Sequence, residues 1–226
     1  MCGRFTLRTP AAELVDFFEL ADPPAGVLGP PRYNIAPTQP IAIVRCLEPA
    51  GPRRLALARW GLVPAWSKEV RSSAPMINAR AETAAEKPSF RSALRRRRCL
   101  IPTDGFYEWR AEGKKKQPLY IRMRDGRPFA FAGLWERWTG ADGAEIESCA
   151  VLTTAANALM RTIHDRMPVI LPPGRYGDWL TPAERTPTML AELLVPYDPD
   201  LMDATLVGTR VNNVKNDDAD CLTPLE

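Results

Sequence analysis

Strand-like segments joined by turns, rather than by long helices, limit what this chain can fold into more than any other feature. "IAIVRCL" (residues 41–47) and "LALARWGLV" (55–63) flank turn signals at Gly51 and Pro52. "CLIPTDGFYEW" (99–109) reads as extended, and "ESCAVLTT" (147–154) as a further strand. "PLYIRMR" (118–124) and "FAFAGLWERW" (129–138) read as a hairpin about the turn "DGRP". Short connections suit antiparallel neighbours, because parallel ones need crossovers of about a dozen residues. The expected class is α+β, mostly antiparallel, with helices at the periphery.

The helix signals are few and short. Thr9 reads as an N-cap with Pro10 as first helical residue, placing Leu14, Phe17 and Phe18 on one face. "PSFRSALRR" (88–96) reads as a second helix. Thr154 reads as the cap of "AANALMRTI" (155–163), which ends near His164, and Thr181-Pro182 and Thr186-Pro187 as late helix starts. A Pro- and Gly-rich loop runs from Asp22 to Pro31. Nothing in the 226 residues looks like a linker, so one domain, 1–226, is expected.

Composition excludes several classes. A hydrophobic share of 45% and a charged share of 25% suit a chain with a real core. No apolar run approaches the ~20 residues a membrane helix needs. Arg4, Arg8, Glu13 and Asp16 interrupt any leader-like stretch, so no membrane partner and a cytoplasmic location are expected. The five cysteines form no C-x-x-C pair, and His164 is the only histidine, so neither a disulfide framework nor a metal site is expected. The net charge of +3 is modest, but "RRRR" (Arg95 to Arg98) and "KKK" (Lys114 to Lys116) concentrate it. Such runs are commonly solvated faces; they are also what a phosphate backbone attracts.

"MCGRF" raises the chemical question. Cys2 is small enough for Met1 to be trimmed, which would leave an amine titrating near ~7.7–8.0 beside a thiol near ~8.5. An aminothiol traps an aldehyde: the amine forms a Schiff base and the thiol closes a five-membered thiazolidine. The same "MCG" also begins the glutaminase domains of amidotransferases, where a processed Cys attacks an amide carbonyl. In the plain packing reading, Cys2 is only a small apolar residue starting a strand.

Later motifs separate these readings. "RYNIAP" (32–37), "WGLVPAW" (60–66), "NARAET" (78–83), "DGFYEW" (104–109), "HDRMP" (164–168) and "VNNVKN" (211–216) follow "MCGRF" in order. Together they resemble the SRAP family, the SOS-response-associated peptidases or abasic-site processing proteins, over nearly the whole chain. The resemblance implies a curved or barrel-like core and no cofactor. It implies Cys2 as nucleophile after loss of Met1, Asn78 holding its amine, Glu108 moving protons and His164 acting on the substrate sugar. It also implies DNA contacts by Arg4, Asn34, Pro37, Trp66, Arg80, Thr153 and Arg166, with Trp66 and Pro37 against bases. Ser67 stands where the family often carries a bulky residue, and Lys215 where Arg is common.

The expected partner is single-stranded DNA containing abasic sites, including junctions with duplex, bound by a monomer that associates with the nucleoid. Removal of Met1 would be autoproteolytic, and a lyase activity could accompany the crosslink. Two rivals are an N-terminal-nucleophile cysteine hydrolase or peptidase, and a non-covalent DNA-binding module that needs no free Cys2. Neither "DGFYEW" nor "HDRMP" fits the glutaminase pattern.

Overall fold

The computed structural model describes residues 2–21, 28–70 and 75–225, so most of the loop expected from Asp22 to Pro31 lies outside the described residues. The first half of the chain forms β1 (Arg4–Leu7), α1 (Ala11–Phe18), β2 (Arg32–Ile35), β3 (Pro40–Arg45), β4 (Arg54–Trp60), β5 (Asn78–Arg80), α2 (Ala81–Ala84) and α3 (Arg91–Arg96). Then come β6 (Arg98–Thr103), β7 (Gly105–Glu112), β8 (Lys115–Met123), β9 (Phe129–Thr139) and β10 (Glu145–Ala155). The remainder forms α4 (Ala158–Arg161), β11 (Arg166–Pro168), β12 (Ile170–Leu171), α5 (Tyr176–Leu180), α6 (Pro187–Ala191) and β13 (Met202–Leu206). None of the described helices is long and apolar enough to cross a membrane.

The strands make two sheets. β10, β4, β3, β6 and β9 pair in turn, and β9 pairs back onto β10, closing a five-strand ring. β5 and β11 attach to β10, and β12 to β9. The second sheet runs β13-β8-β7-β1-β2, antiparallel throughout. The curved core expected from the sequence is therefore a closed barrel with a sheet laid against it. Alternation along the strands explains the contact. Phe5 of β1 and Phe106 of β7 point to the barrel, where Phe5 lies edge-on to Trp60 at 5.1 Å, and both rings meet Phe131. Tyr107 and Tyr120 point the other way, beneath Val207, Val211 and Cys221 of the C-terminal segment.

Several local expectations need correction. β8 and β9 are not a hairpin: after the Asp125-Gly126 turn, β9 enters the barrel while β8 pairs with β7 and β13. β8 makes its hairpin with β7 instead, and β9 with β10, through turns that carry Gly113 and Gly143 with positive φ. Thr9 does not cap α1, because its hydroxyl donates to buried Asp104; the N-cap residue is Pro10. Asn157, not Thr154, caps α4, accepting from the Met160 N–H at 2.8 Å, while Thr154 stays in β10. Thr181-Pro182 ends α5 instead of starting a helix, whereas Thr186 caps α6 with Pro187 behind it, as expected.

"RRRR" is structural. Arg95 and Arg96 pair with Glu184, and Arg97 with Glu136. Arg98 is 2% exposed and donates to the carbonyls of Leu94, Arg95, Trp179, Thr181 and Ala183, closing the C-terminal ends of α3 and α5. Burial holds its guanidinium down, to about 10. Arg98→Met strands several carbonyls at about 1–3 kcal/mol each, so urea unfolding should show a loss of at least about 3 kcal/mol. Arg98→Lys, without the planar fork, should recover only part of it. A wild-type midpoint for Arg98→Met would show that these carbonyls find other partners.

Candidate functional site

The site begins with how β1 is held. It lies inside its sheet, paired to β7 through Arg4↔Tyr107 and to β2 through Phe5↔Ile35. Gly105 lets β7 lie close to β8 on its other side, since a Cβ there would run into the Tyr120 ring and the Ile121 carbonyl. Cys2 is fully buried. Its carbonyl accepts a hydrogen bond from Asn78 Nδ2 at 2.9 Å. Asn78 opens β5, whose parallel pairing Val151↔Asn78 with β10 ties it to the barrel. Asn78 Oδ1 is buried and accepts no hydrogen bond from the described residues.

Glu108, whose charge reaches the Cys2 thiol, lines a cleft of about 490 Å³ together with Arg4, Trp109, Lys116, His164 and Asn212. Glu108 Oε1 accepts from the Trp109 N–H at 3.2 Å. Burial, and secondarily the Glu108 charge, push the Cys2 thiol well up, so it stays protonated at neutral pH. His164 Nδ1 accepts the Arg166 N–H at 3.0 Å and lies 2.8 Å from Asp165 Oδ1. The first contact leaves the proton of a neutral ring on Nε2, whereas the second suits a charged ring. Asp165 is 85% exposed, so its pull on the ring is screened.

Arg4 is tied down on its outer side. Nη1 donates to Asn34 Oδ1 at 2.8 Å and to the Val211 carbonyl at 2.7 Å, and Nη2 to the Asn212 carbonyl at 3.5 Å. Asn34 Nδ2 donates to the carbonyls of Val211, Asn213 and Asn216. Asp217 accepts from the N–H groups of Tyr33 and Asn34 and pairs with Arg32. "RYNIAP" and "VNNVKN" are thus two halves of one clasp, which fixes Asn212 as the acceptor of the Trp109 indole N–H at 2.8 Å. Among the described residues no cluster of His, Cys, Asp and Glu is arranged to hold a metal ion.

Residues 1–214 match the family model described as SOS response associated peptidase (SRAP). The chain belongs to this family. It is 44% identical over 224 residues to the abasic site processing protein YoaM of Bacillus subtilis, covering 98% of this chain and 97% of that one. It is 32% identical to the abasic site processing protein YedK of Escherichia coli, with both chains covered completely. A solved structure of a Bacteroides thetaiotaomicron protein superposes with a TM-score of 0.87 at 27% identity, again over the whole of both chains.

Within this SRAP chain the expected catalytic residues converge: Asn78 touches Cys2, Glu108 acts on it electrostatically, and His164 shares the cleft with Glu108. The expected DNA-binding residues divide. Trp66 is 66% exposed, Arg80 is exposed and Pro37 half-buried. Arg166 is gripped by both oxygens of Glu82, at 2.6 and 2.8 Å, and also donates to the Thr153 carbonyl. Asn34 and Thr153 are fully buried, and the structure gives them supporting places rather than surface ones, Asn34 in the clasp and Thr153 behind Arg166. Trp109 and Asn212 fall inside sequence motifs and Lys116 inside the "KKK" run, but none of the three had an expected role at this cleft. The hairpin register Trp109↔Pro118 and Ala111↔Lys116, readable from two-residue alternation about Gly113, is the signal that places Trp109 and Lys116 on one face.

Proposed function

We propose that this chain processes abasic sites in single-stranded DNA by trapping the sugar aldehyde on Cys2. The observation that carries the reading is the setting of Cys2. It is pinned by Asn78 and feels the charge of a carboxylate that shares a cleft with an imidazole, with its thiol kept neutral. The relatives YoaM and YedK, similar over nearly their full lengths, are named as abasic site processing proteins.

Hydrolysis of the Met1–Cys2 peptide bond frees the amine, for which the buried Asn78 Oδ1 is a waiting acceptor. Opening of the deoxyribose ring exposes an aldehyde: the proton of the C1 hydroxyl leaves and the departing ring oxygen takes one up, and His164 relays it between the two. The amine adds to the aldehyde carbon and water leaves, giving an imine. The thiol sulfur then bonds to that carbon while its proton passes to nitrogen, closing a thiazolidine; one water is released overall. Glu108 carries protons to and from the amine. Strand cleavage by elimination from the imine competes with ring closure, which is the route to a lyase activity. Trp66, Pro37 and Arg80 offer stacking and phosphate contacts to the flanking strand.

The thiol setting argues against the hydrolase alternative. A cysteine that attacks amides needs a readily formed thiolate; with Met1 in place, burial and then the Glu108 charge oppose one, outweighing the terminal amine and the Arg4 backbone contact. An amine-first reaction has no such need.

Cys2→Ser keeps the amine but cannot close the sulfur ring. Incubated with abasic single-stranded DNA, the wild type should give a heat-stable adduct. Cys2→Ser should give one only when borohydride reduces the imine, and an unreduced Cys2→Ser adduct of equal heat stability would contradict the ring-closure step. Glu108 and His164 should separate by substrate. Glu108→Gln should slow single-turnover crosslinking about 10²–10⁴-fold on both a natural abasic site and an analogue locked open. His164→Ala should be comparably slow on the natural site and near normal on the open analogue. Equal loss on both substrates would remove ring opening from His164.

A further inference from the structure

The two basic runs of the sequence have opposite fates. Each arginine of "RRRR" has a carboxylate or carbonyl partner within the fold. "KKK" has none: Lys114, Lys115 and Lys116 are exposed at the β7–β8 turn, and none makes a hydrogen bond or ion pair through its side chain with a described residue. Glu112, opposite Lys115, is occupied by Arg110 at 2.6 Å. Like charges gathered at one hairpin tip repel one another and gain nothing within the fold, which leaves the run free to meet an anionic partner outside the chain.

The register says where that partner runs. Lys116 lies opposite Ala111, on the sheet face of Trp109, and lines the cleft. Arg4, the other cation at this wall, already donates to Asn34 Oδ1 and to the Val211 and Asn212 carbonyls, and burial lowers its pKa. Arg80 stands at the far end of β5, beyond Asn78. The lysines therefore stand past Trp109 at the Lys116 end of the cleft, while Arg80 is exposed on β5, two residues beyond Asn78.

We infer that the β7–β8 hairpin is a phosphate rail, with Lys116 at the cleft and Lys114 at the tip gripping the nucleic-acid backbone on one side of the lesion. The inference rests on the reading of the cleft as a single-strand DNA site, and goes beyond it by assigning a cationic run that the chemistry does not use. Each phosphate contact with a single strand contributes about 0.7 to the slope of log affinity against log salt.

The test uses a single-stranded oligonucleotide carrying a tetrahydrofuran abasic analogue, which has no aldehyde, so that equilibrium binding is measured apart from crosslinking. Lys116→Gln should reduce the salt slope by about 0.7, and Lys114→Gln with Lys116→Gln by about 1.4. Lys116→Arg should keep the wild-type slope. The loss should appear only with oligonucleotides that extend from the analogue in one of the two directions. An unchanged slope in the double variant, or equal loss in both directions, overturns the rail. The crosslink reading is judged separately with wild-type protein on an aldehyde-bearing strand. No adduct together with a reduced slope sinks that reading and leaves the rail standing; an adduct together with an unchanged slope does the reverse.

Discussion

The site depends on β1 being an interior strand. Fixing the backbone of one residue costs about 1–2 kcal/mol, so holding residues 2–4 in one conformation costs several. Burial of Phe5 against Trp60 and Phe131 returns only about 1.5–3 kcal/mol. The rest comes from pairing to both β2 and β7, from the Arg4 fork and from the Asn78 bond to the Cys2 carbonyl. If β1 lay at a sheet edge, Cys2 would sample many positions and would keep no fixed relation to Glu108.

The two sheets then divide the chemistry between them. The five-stranded sheet delivers Glu108 through β7, while the barrel delivers Asn78 through β5, and His164 through the turn between α4 and β11. The geometry of the proposed site is therefore set by how sheet packs on barrel, with Phe131 at the contact. On the outer face, Arg4 and Asn34 bond the carbonyls of residues 211–216 while Asp217 bonds back to residues 32–34, and this clasp forms the wall of the cleft. That explains why polar residues in loop-like motifs end up buried: they bond backbone groups of a distant segment.

Much of this was legible in the sequence, for identifiable reasons. Strands such as 41–47 and 55–63 announce themselves by β-branched and apolar runs between turn residues, and Thr186-Pro187 is a self-contained helix start. The motif residues Cys2, Asn78, Glu108 and His164 were legible as a set because they resemble a known order. Strand partnership was not. "DGRP" signals a turn equally well whether the next strand folds back or crosses to another sheet, and long-range pairing made that choice. Burial of charge was also hidden: Arg98 opens β6, where the carbonyls ending α3 and α5 converge on it, whereas Arg95 stays on the exposed face of α3. The same holds for Thr9, whose hydroxyl prefers Asp104, 95 residues away, to the helix beside it.

The central claim is that the freed amine of Cys2, and not its thiol alone, begins the reaction. The direct measurement is intact mass after incubation with abasic single-stranded DNA, comparing chains lacking Met1 with chains in which Met1 is retained or the Cys2 amine is acetylated. The account predicts a heat-stable adduct, one water lighter than the sum of its parts, from the free-amine chains alone. An equally stable adduct from blocked chains would contradict it, because a thiol acting without the amine would then suffice.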